Sequence, residues 1–425
     1  MGYVKNYTEL AINEDRSIVL DLVEAAIDSI QPQNVLSKNF VLKHDVLEIK
    51  GKSINLKEYE RIFLVGFGKG SVEISQIIEE TLGDFLTKGF VIDTETATFK
   101  KIEASLGTHP LPSKQNIEFT TKIIDEFKNL TQKDLVLVVI CGGGSVLFES
   151  PFNIDLEKLI EVNQALLKSG ATISEMNTIR KHLSNVKGGG LAKILSPAKV
   201  ISLIFSDVPG NDLSTIASGT TVMDKTSVND AWDIYKKYNL VNLDLRKEDF
   251  LETPKEESIF INVENILILS NQTALEAMRL KAQELKLKVE IFSDKFQSDA
   301  KLAGVTLIGK TPEHCVLLAG GETTVKVRNP EGKGGRNQDL VLAALYEIDD
   351  KTIIASFDTD GWDNSPAAGA IGDFQTLEKA KVQGLNPQEF LEQDNSLVFF
   401  KNLRDAIITD KLPSNVSDLM IVYKK

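Results

Sequence analysis

Five turns in this 425-residue chain set glycine beside a residue that can handle an anion or a proton. They read Gly66-Phe67-Gly68-Lys69-Gly70-Ser71, Cys141-Gly142-Gly143-Gly144-Ser145, Ser206-Asp207-Val208-Pro209-Gly210, Gly320-Gly321-Glu322-Thr323 and Asp358-Thr359-Asp360-Gly361. Each follows an apolar run with the length and branching of a buried strand. Glycine lets the backbone approach a ligand closely, and successive N–H groups at a following helix start bind phosphate oxygens. One such turn is a common strand-to-helix connection; five together point to an anion site. Lys69 stands at a helix start, where a cation opposes the helix dipole, so its placement asks for a phosphate or carboxylate partner. Arg336 is carried to another helix start by Gly332-Lys333-Gly334-Gly335-Arg336-Asn337-Gln338-Asp339. Its planar fork suits phosphate or carboxylate, and phosphoryl transfer depends mainly on neutralising the transferring group.

A second basic group falls in Asn177-Thr178-Ile179-Arg180-Lys181-His182-Leu183-Ser184 and Lys187-Gly188-Gly189-Gly190. Arg180, Lys181, His182 and Lys187 would supply a local positive field for an anion. The strand-end carboxylates Asp207, Glu322, Asp358 and Asp360 are hard ligands suited to Mg²⁺. Asp207 could equally take a proton from a substrate hydroxyl. The standard nucleotide signatures are missing. The third glycine of G-x-G-x-x-G falls on Ser71, and Lys69 is followed by Gly70 rather than the Ser or Thr of a Walker A loop. The four histidines show no metal-ligand spacing, which argues against a zinc enzyme.

The elements that must position these residues alternate. Arg61–Gly66, Gly89–Asp93, Asp134–Cys141 and Lys199–Ser206 read as near-continuous apolar strands, with a helix over Ser71–Leu82. That pattern predicts a doubly wound, Rossmann-like α/β domain with a parallel sheet, over residues 1–250, with ligands at the carboxyl ends of its strands. Charge rises over Asn239–Glu264, read as the inter-domain region. A second α/β domain, 251–425, follows, with strands at Asn265–Ser270, Lys288–Ser293, Cys315–Ala319, Thr323–Val327, Thr352–Phe357 and Leu419–Tyr423. Helices are expected near Thr273–Leu285 and over Asn337–Leu345. The closeness of Thr323–Val327 to Cys315–Ala319 predicts a hairpin and a mixed sheet. The last residues could pack back on the first domain.

Hydrophobic residues make up 42%, as in a packed globular protein, and net charge is 48 − 61 = −13. That balance argues against a nucleic-acid or anionic-membrane surface. Cys141 and Cys315 close apolar runs and read as core thiols of a reducing compartment. With no signal-peptide pattern and no apolar run of membrane-spanning length, the expected location is cytoplasmic.

The three longest motifs, Asn177–Ser184 with Lys187–Leu191, Ser206–Gly219 (SDVPGNDLSTIASG) and Gly320–Asp339 (GGETTVKVRNPEGKGGRNQD), resemble those of the class II glycerate kinases, the glycerate 2-kinases. The resemblance runs from about Val65 to Asp418. It implies an ATP- and Mg²⁺-dependent kinase, with an N-terminal kinase-like domain, a leucine-rich C-terminal domain and an active site in the cleft between them. The product expected from D-glycerate is 2-phosphoglycerate. The family's catalytic set falls on Lys69, Asp207 and Arg336. The binding residues it implies are Gly68, His109, Gly142, Gly143, Gly144, Ser145, Asn177, Arg180, Lys181, Lys187, Gly188, Ser218, Gly219, Glu322, Thr323, Asn337 and Asp360, with Asp207, Glu322 and Asp360 toward Mg²⁺. The partners would be glycerate and ATP, and a homodimer is allowed. Several positions depart from the family pattern. Cys141 replaces a serine, Thr220 a proline and Asn364 a glycine, and Pro413-Ser414-Asn415-Val416-Ser417 replaces Gly-Thr-Asn-Val-Asn. The competing functions are a kinase of a related sugar acid, an oxidoreductase acting on hydroxypyruvate or another 2-oxo acid, and a non-catalytic binding module.

Overall fold

The computed structural model describes residues 2–425. Two compact units form. The first takes in Leu36–Ser206 and Asn211–Ile268. It opens on a small antiparallel sheet, β1 (Phe40–Lys43), β2 (Val46–Ile49) and β3 (Lys52–Asn55). The main sheet follows, from β4 (Arg61–Phe67), β5 (Lys88–Asp93), β6 (Ile102–Leu106), β7 (Asp134–Ile140), β8 (Lys199–Phe205) and β9 (Val263–Leu269), in the spatial order β6-β5-β4-β7-β8-β9. Every residue of β7, DLVLVVI, is buried, as a central strand covered on both faces requires. The registers from β6 through β8 are parallel.

The chain winds from β4 outward through β5 to β6, then returns to lay β7 on the other side of β4. Strand order therefore reverses between β4 and β7, and the crevice beyond their carboxyl ends is where doubly wound sheets bind ligands. Register brings the two ends level, since Arg61 pairs with Asp134 at the start and Phe67 with Ile140 at the end. Arg61 also grips the Asp134 carboxylate with two 2.7 Å bonds.

The second unit takes in the N-terminal residues through Val35, Asp207–Gly210 and Leu269–Lys425. Its sheet comprises β10 (Lys288–Phe296), β11 (Cys315–Gly321), β12 (Thr352–Asp358), β13 (Gly369–Gly372), β14 (Ala406–Ile407) and β15 (Asp418–Lys424), ordered β10-β11-β15-β12-β13-β14. It is mixed as expected, but for another reason. No strand forms over 323–327; Thr324 makes only an isolated parallel bridge to Asp299. The antiparallel element is instead β15, inserted between β11 and β12. The final strand thus closes the sheet of its own unit.

Two other boundaries differ from the linear division at 250/251. The charged stretch after Asn239 belongs to the first unit. Its Leu240, Leu245 and Phe250 pack against Val162, Leu166 and Tyr235, each such side chain worth roughly 1.5–3 kcal/mol of burial. The strand expected at Asn265–Ser270 is β9, the last of the first sheet. At the other end, helix Glu14–Ile30 packs on helix Asn271–Glu284. Arg16, fully buried, donates Nε and Nη2 to the two oxygens of Asp373 (2.7 and 2.8 Å) and Nη1 to Asp405 (2.6 Å).

Removing one member of a buried ion pair strands the other. Arg16→Leu leaves two buried carboxylates and should lower the free energy of unfolding by about 3–5 kcal/mol. Urea denaturation measures it; a loss below about 1 kcal/mol would show that water or Lys379 replaces the guanidinium.

Candidate functional site

At the switch point of the first unit the turns after β4 and β7 brace each other. The Cys141 N–H donates to the Phe67 carbonyl (3.0 Å) and the Lys69 N–H to the Gly142 carbonyl (2.8 Å). Gly68, at φ 106°, lies so close that a Cβ there would sit 2.4 Å from the Cys141 carbonyl oxygen, so only glycine fits. Gly143 has φ 73° and starts the short helix Gly144–Leu147. A Cβ on it would meet the His109 ring at 3.1 Å and the Lys69 stem at 3.6 Å. Lys69, His109 and Gly143 are therefore neighbours. Lys69 is exposed, and its ammonium has no anionic partner among the described residues. Burial first, and the Lys69 charge second, push the His109 imidazolium below its ordinary 6.5. Asn116, fully buried, holds this arrangement. Its Nδ2 donates to the Thr108 and Val146 carbonyls (3.1 Å each), tying the His109 turn to the Gly144–Leu147 helix.

Ser145 Oγ lies 2.8 Å from Ser218 Oγ, which also reaches Asn177 Oδ1 at 3.4 Å. Ala217, Ser218 and Gly219 all have positive φ, a strained turn held against the Gly142–Ser145 segment. Gly142, Gly143, Gly144, Ser145, Asn177, Ser218 and Gly219 thus lie together. The two lysines of the basic stretch do not supply the free field expected of them. Lys181 pairs with buried Asp224 (3.1 Å), Lys187 with buried Glu149, and Arg180 Nε donates to Asn163 Oδ1 (2.8 Å). His182 is wholly buried, with Nδ1 on the Thr178 carbonyl (3.0 Å). These groups hold the helix Ile173–His182 in place because burying an unpaired charge is costly. Gly188 packs on Thr253, and its N–H bonds the Ser218 carbonyl (3.0 Å).

The helix start after β4, where a dinucleotide would seat its pyrophosphate, is already occupied by a carboxylate of the chain. Asp93, the buried last residue of β5, accepts from the Val72 N–H (3.1 Å) and is also held by the Gly70 N–H. In dinucleotide folds an acidic residue near this point faces a ribose. Here it turns inward onto the helix.

In the second unit the site is set by register. Asp418 opens β15 directly opposite Asp358 on β12 and Gly321 on β11. Arg336 bridges the carboxylates, with Nε to Asp418 (2.6 Å), Nη2 to Asp358 (3.0 Å) and Nη1 facing Glu322 (3.4 Å). Burial alone would lower the Arg336 guanidinium; Asp418, Asp358 and Glu322 outweigh it and raise it. Burial, then Asp418 and Asp360, hold the Asp358 carboxyl well above the usual range. Burial likewise lifts Asp418. Asn337 Nδ2 donates to Asp418 (2.7 Å), and the buried Thr323 hydroxyl has no partner among the described residues. Asp363 accepts the Asn337 and Gln338 N–H groups (3.1 and 3.0 Å), fixing the start of helix Arg336–Ala344; burial raises it to about 6. Asp360 is half-buried and accepts from the Trp362 N–H (2.9 Å). The Asp207 carbonyl accepts from Ser417 Oγ (2.6 Å) in the same unit. Among the described residues no group of three or more His, Cys, Asp or Glu side chains is arranged to hold a metal ion.

Residues 18–252 match the family described as Domain of unknown function (DUF4147), and residues 315–418 match the MOFRL family. A Glycerate 2-kinase of Pyrococcus horikoshii is 35% identical over 96% of both chains. An Agrobacterium vitis protein with the provisional name of a hydroxypyruvate reductase is 36% identical over 85% of this chain and 99% of its own. The crystal structure of a Glycerate kinase from Thermotoga maritima superposes with a TM-score of 0.86 at 31% identity, over 96% of this chain and 99% of that one. The chain belongs to the glycerate 2-kinase family.

Within that family frame, motif reading missed Asn116, Glu149, Asp363 and Asp418. Asp418 carried a signal, an acid directly before the apolar run Leu419–Tyr423. Asn116 carried none, because its partners are distant carbonyls. The closeness of Lys69 to His109 has a direct test. Lys69→Ala should move the His109 titration midpoint, followed by its ring-proton NMR signal, up toward 6.5 but short of it, since burial remains. An unmoved midpoint would place the ammonium elsewhere.

Proposed function

We propose that this chain is a glycerate 2-kinase that transfers the γ-phosphate of ATP to the 2-hydroxyl of D-glycerate. The observation that carries the reading is Lys69, an exposed and unpaired cation over the glycine turns at the switch point, with the dinucleotide seat beside it filled by Asp93. That combination suits a mononucleotide or substrate phosphate better than a nicotinamide cofactor. It weighs against the reductase reading that the Agrobacterium relative's name brings in.

In the reaction the glycerate oxygen forms a bond to the γ-phosphorus as the bond to the β–γ bridging oxygen breaks. The hydroxyl proton passes to Asp207. Lys69 and Arg336 neutralise charge on the transferring group. Arg336 is held rigid by Asp418 and Asp358, and its Nη1 makes the loosest contact, so that nitrogen is the one free to turn to an anion. The second unit sets Glu322, Asp358 and Asp418 around this one guanidinium, with Asp360 beside Asp358. Mg²⁺ binds through one or two carboxylates plus phosphate oxygens, and Glu322 and Asp360 are the residues that would hold it, with Asp207 kept as the base. Magnesium would supply further neutralisation of the phosphates. We place the enzyme in the cytoplasm: both cysteines are buried and neither is in a disulfide, and among the described residues no helix is long and apolar enough to cross a membrane.

Phosphorus NMR of the product from D-glycerate, ATP and Mg²⁺ should show 2-phosphoglycerate. A 3-phosphoglycerate signal, or reduction of hydroxypyruvate with a nicotinamide, overturns the assignment. Arg336→Lys keeps the charge and loses the fork, so kcat should fall by ~10³. Lys69→Ala should lower kcat and kcat/KM together, and Asp207→Asn should abolish turnover while leaving ATP binding and the unfolding transition in place. If Lys69 and Arg336 act on the same phosphoryl group, the double variant will lose far less than the product of the single losses. Strict additivity would mean they serve separate steps.

A further inference from the structure

The first unit contains a cavity of about 540 Å³ that none of the proposed chemistry uses. Its walls come from helix Lys114–Glu126, helix Gly190–Leu195 and the extended segment Leu251–Pro254. No residue of the Gly68–Lys69 or Gly142–Ser145 turns lines it. Its volume lies within the ~300–1,000 Å³ of small-molecule sites. Ile124, Ile194, Leu251 and Pro254 give it apolar walls, and Ser150 and Asn185 add hydrogen-bonding groups. Its charges are unequal in availability. Lys187 is committed to Glu149, and Glu252 accepts the Val228 N–H (3.1 Å) and faces Lys255 (3.5 Å). Lys193 is exposed, and its ammonium has no partner among the described residues. The cavity therefore offers an apolar slot with one uncommitted cation.

We propose that this cavity binds a small amphipathic organic anion, its apolar body between Ile124, Ile194 and Pro254 and its acid on Lys193, and that binding is felt at the Ser218 turn. The link is short. Lys187 and Gly190 line the cavity, and between them the Gly188 and Gly189 N–H groups donate to the Ser218 and Gly219 carbonyls (3.0 and 2.8 Å). Ser218 in turn meets Ser145 Oγ at 2.8 Å. Within four consecutive residues, Lys187 and Gly190 thus line the cavity while Gly188 and Gly189 hold the strained turn of the candidate site. A ligand that prefers one setting of this segment shifts that turn with it. The proposal concerns binding and stands whatever reaction the enzyme performs.

The probe is 1-anilinonaphthalene-8-sulfonate, an amphipathic aromatic anion, titrated by fluorescence against the full chain in saturating ATP and Mg²⁺. Saturable one-to-one binding is expected. Lys193→Glu, an exposed change, should weaken it at least tenfold, and Ile194→Trp should fill the slot and abolish it with the melting temperature kept. Hydrogen exchange of the Gly188 and Gly189 amides should slow several-fold on saturation. Absence of saturable binding, displacement by ATP, or indifference to Lys193→Glu overturns the site. Binding without a change at the two amides overturns the coupling.

Discussion

Two aspartates set the terms for the second unit. Asp358 and Asp418 lie directly opposite each other on adjacent antiparallel strands, both buried. Like charges in that position repel, and desolvation adds to the cost. Arg336 resolves the conflict by giving one N–H to each carboxylate. For it to do so, the Gly-rich loop must deliver the arginine to a helix start. Asp363 must then fix that start through two backbone N–H groups, and Asn337 must take up the remaining Asp418 oxygen at 2.7 Å. β15, the last strand, must also reach the centre of the sheet. The motif Gly332–Asp339 and the C-terminal strand are thus two halves of one electrostatic solution, which is why residues about 80 apart in sequence form one site.

The first unit shows how a fold with dinucleotide-like strand order can avoid dinucleotide chemistry. The order β6-β5-β4-β7-β8-β9 leaves a crevice between β4 and β7, and a helix start points into it. Asp93 fills that start from within, so the helix dipole is answered by the chain's own carboxylate. The proposed anion site then lies one strand over, where the Gly143 turn meets the Lys69 stem. There Lys69 stands clear while Lys181 and Lys187 are held in buried pairs. Of the lysines the motifs suggested, only Lys69 keeps its charge available.

Much of this was legible in the sequence. The helix Ser71–Leu82 and the central strands of both sheets are set by local patterns of apolar residues, and the glycine turns by positive-φ requirements that side chains cannot meet. What escaped depends on partners far away in the chain. Thr323–Val327 has the β-branched content of a strand, but β15 takes the edge it would have paired with. The charged stretch Asn239–Glu264 reads as a linker until Leu245 and Phe250 find Tyr235. Lys181 and Lys187 read as part of a basic patch because neither Asp224 nor Glu149 stands near them in sequence. Periodicity reports which face is apolar; it does not report which charge neutralises which.

The departures from the family pattern can be sorted by what each side chain touches. Cys141 is buried behind its turn, with its Cβ against Gly68, so sulfur for oxygen there alters packing between two braced turns and not a ligand contact. Asn364 stands where the family has glycine, at φ 48°, and asparagine is among the few residues that accept this conformation readily. Thr220 buries a hydroxyl with no partner among the described residues, a local cost next to the Ser218 turn. Ser417 is different. It replaces an asparagine, adopts φ 72°, and its hydroxyl holds the Asp207 carbonyl at 2.6 Å. Its N–H is fixed in turn by Asn415 Oδ1 at 2.7 Å, and its own carbonyl accepts from Thr359 Oγ1 at 2.8 Å. Of these changes, Ser417 alone bears on the proposed base, and it does so through the backbone that aims Asp207.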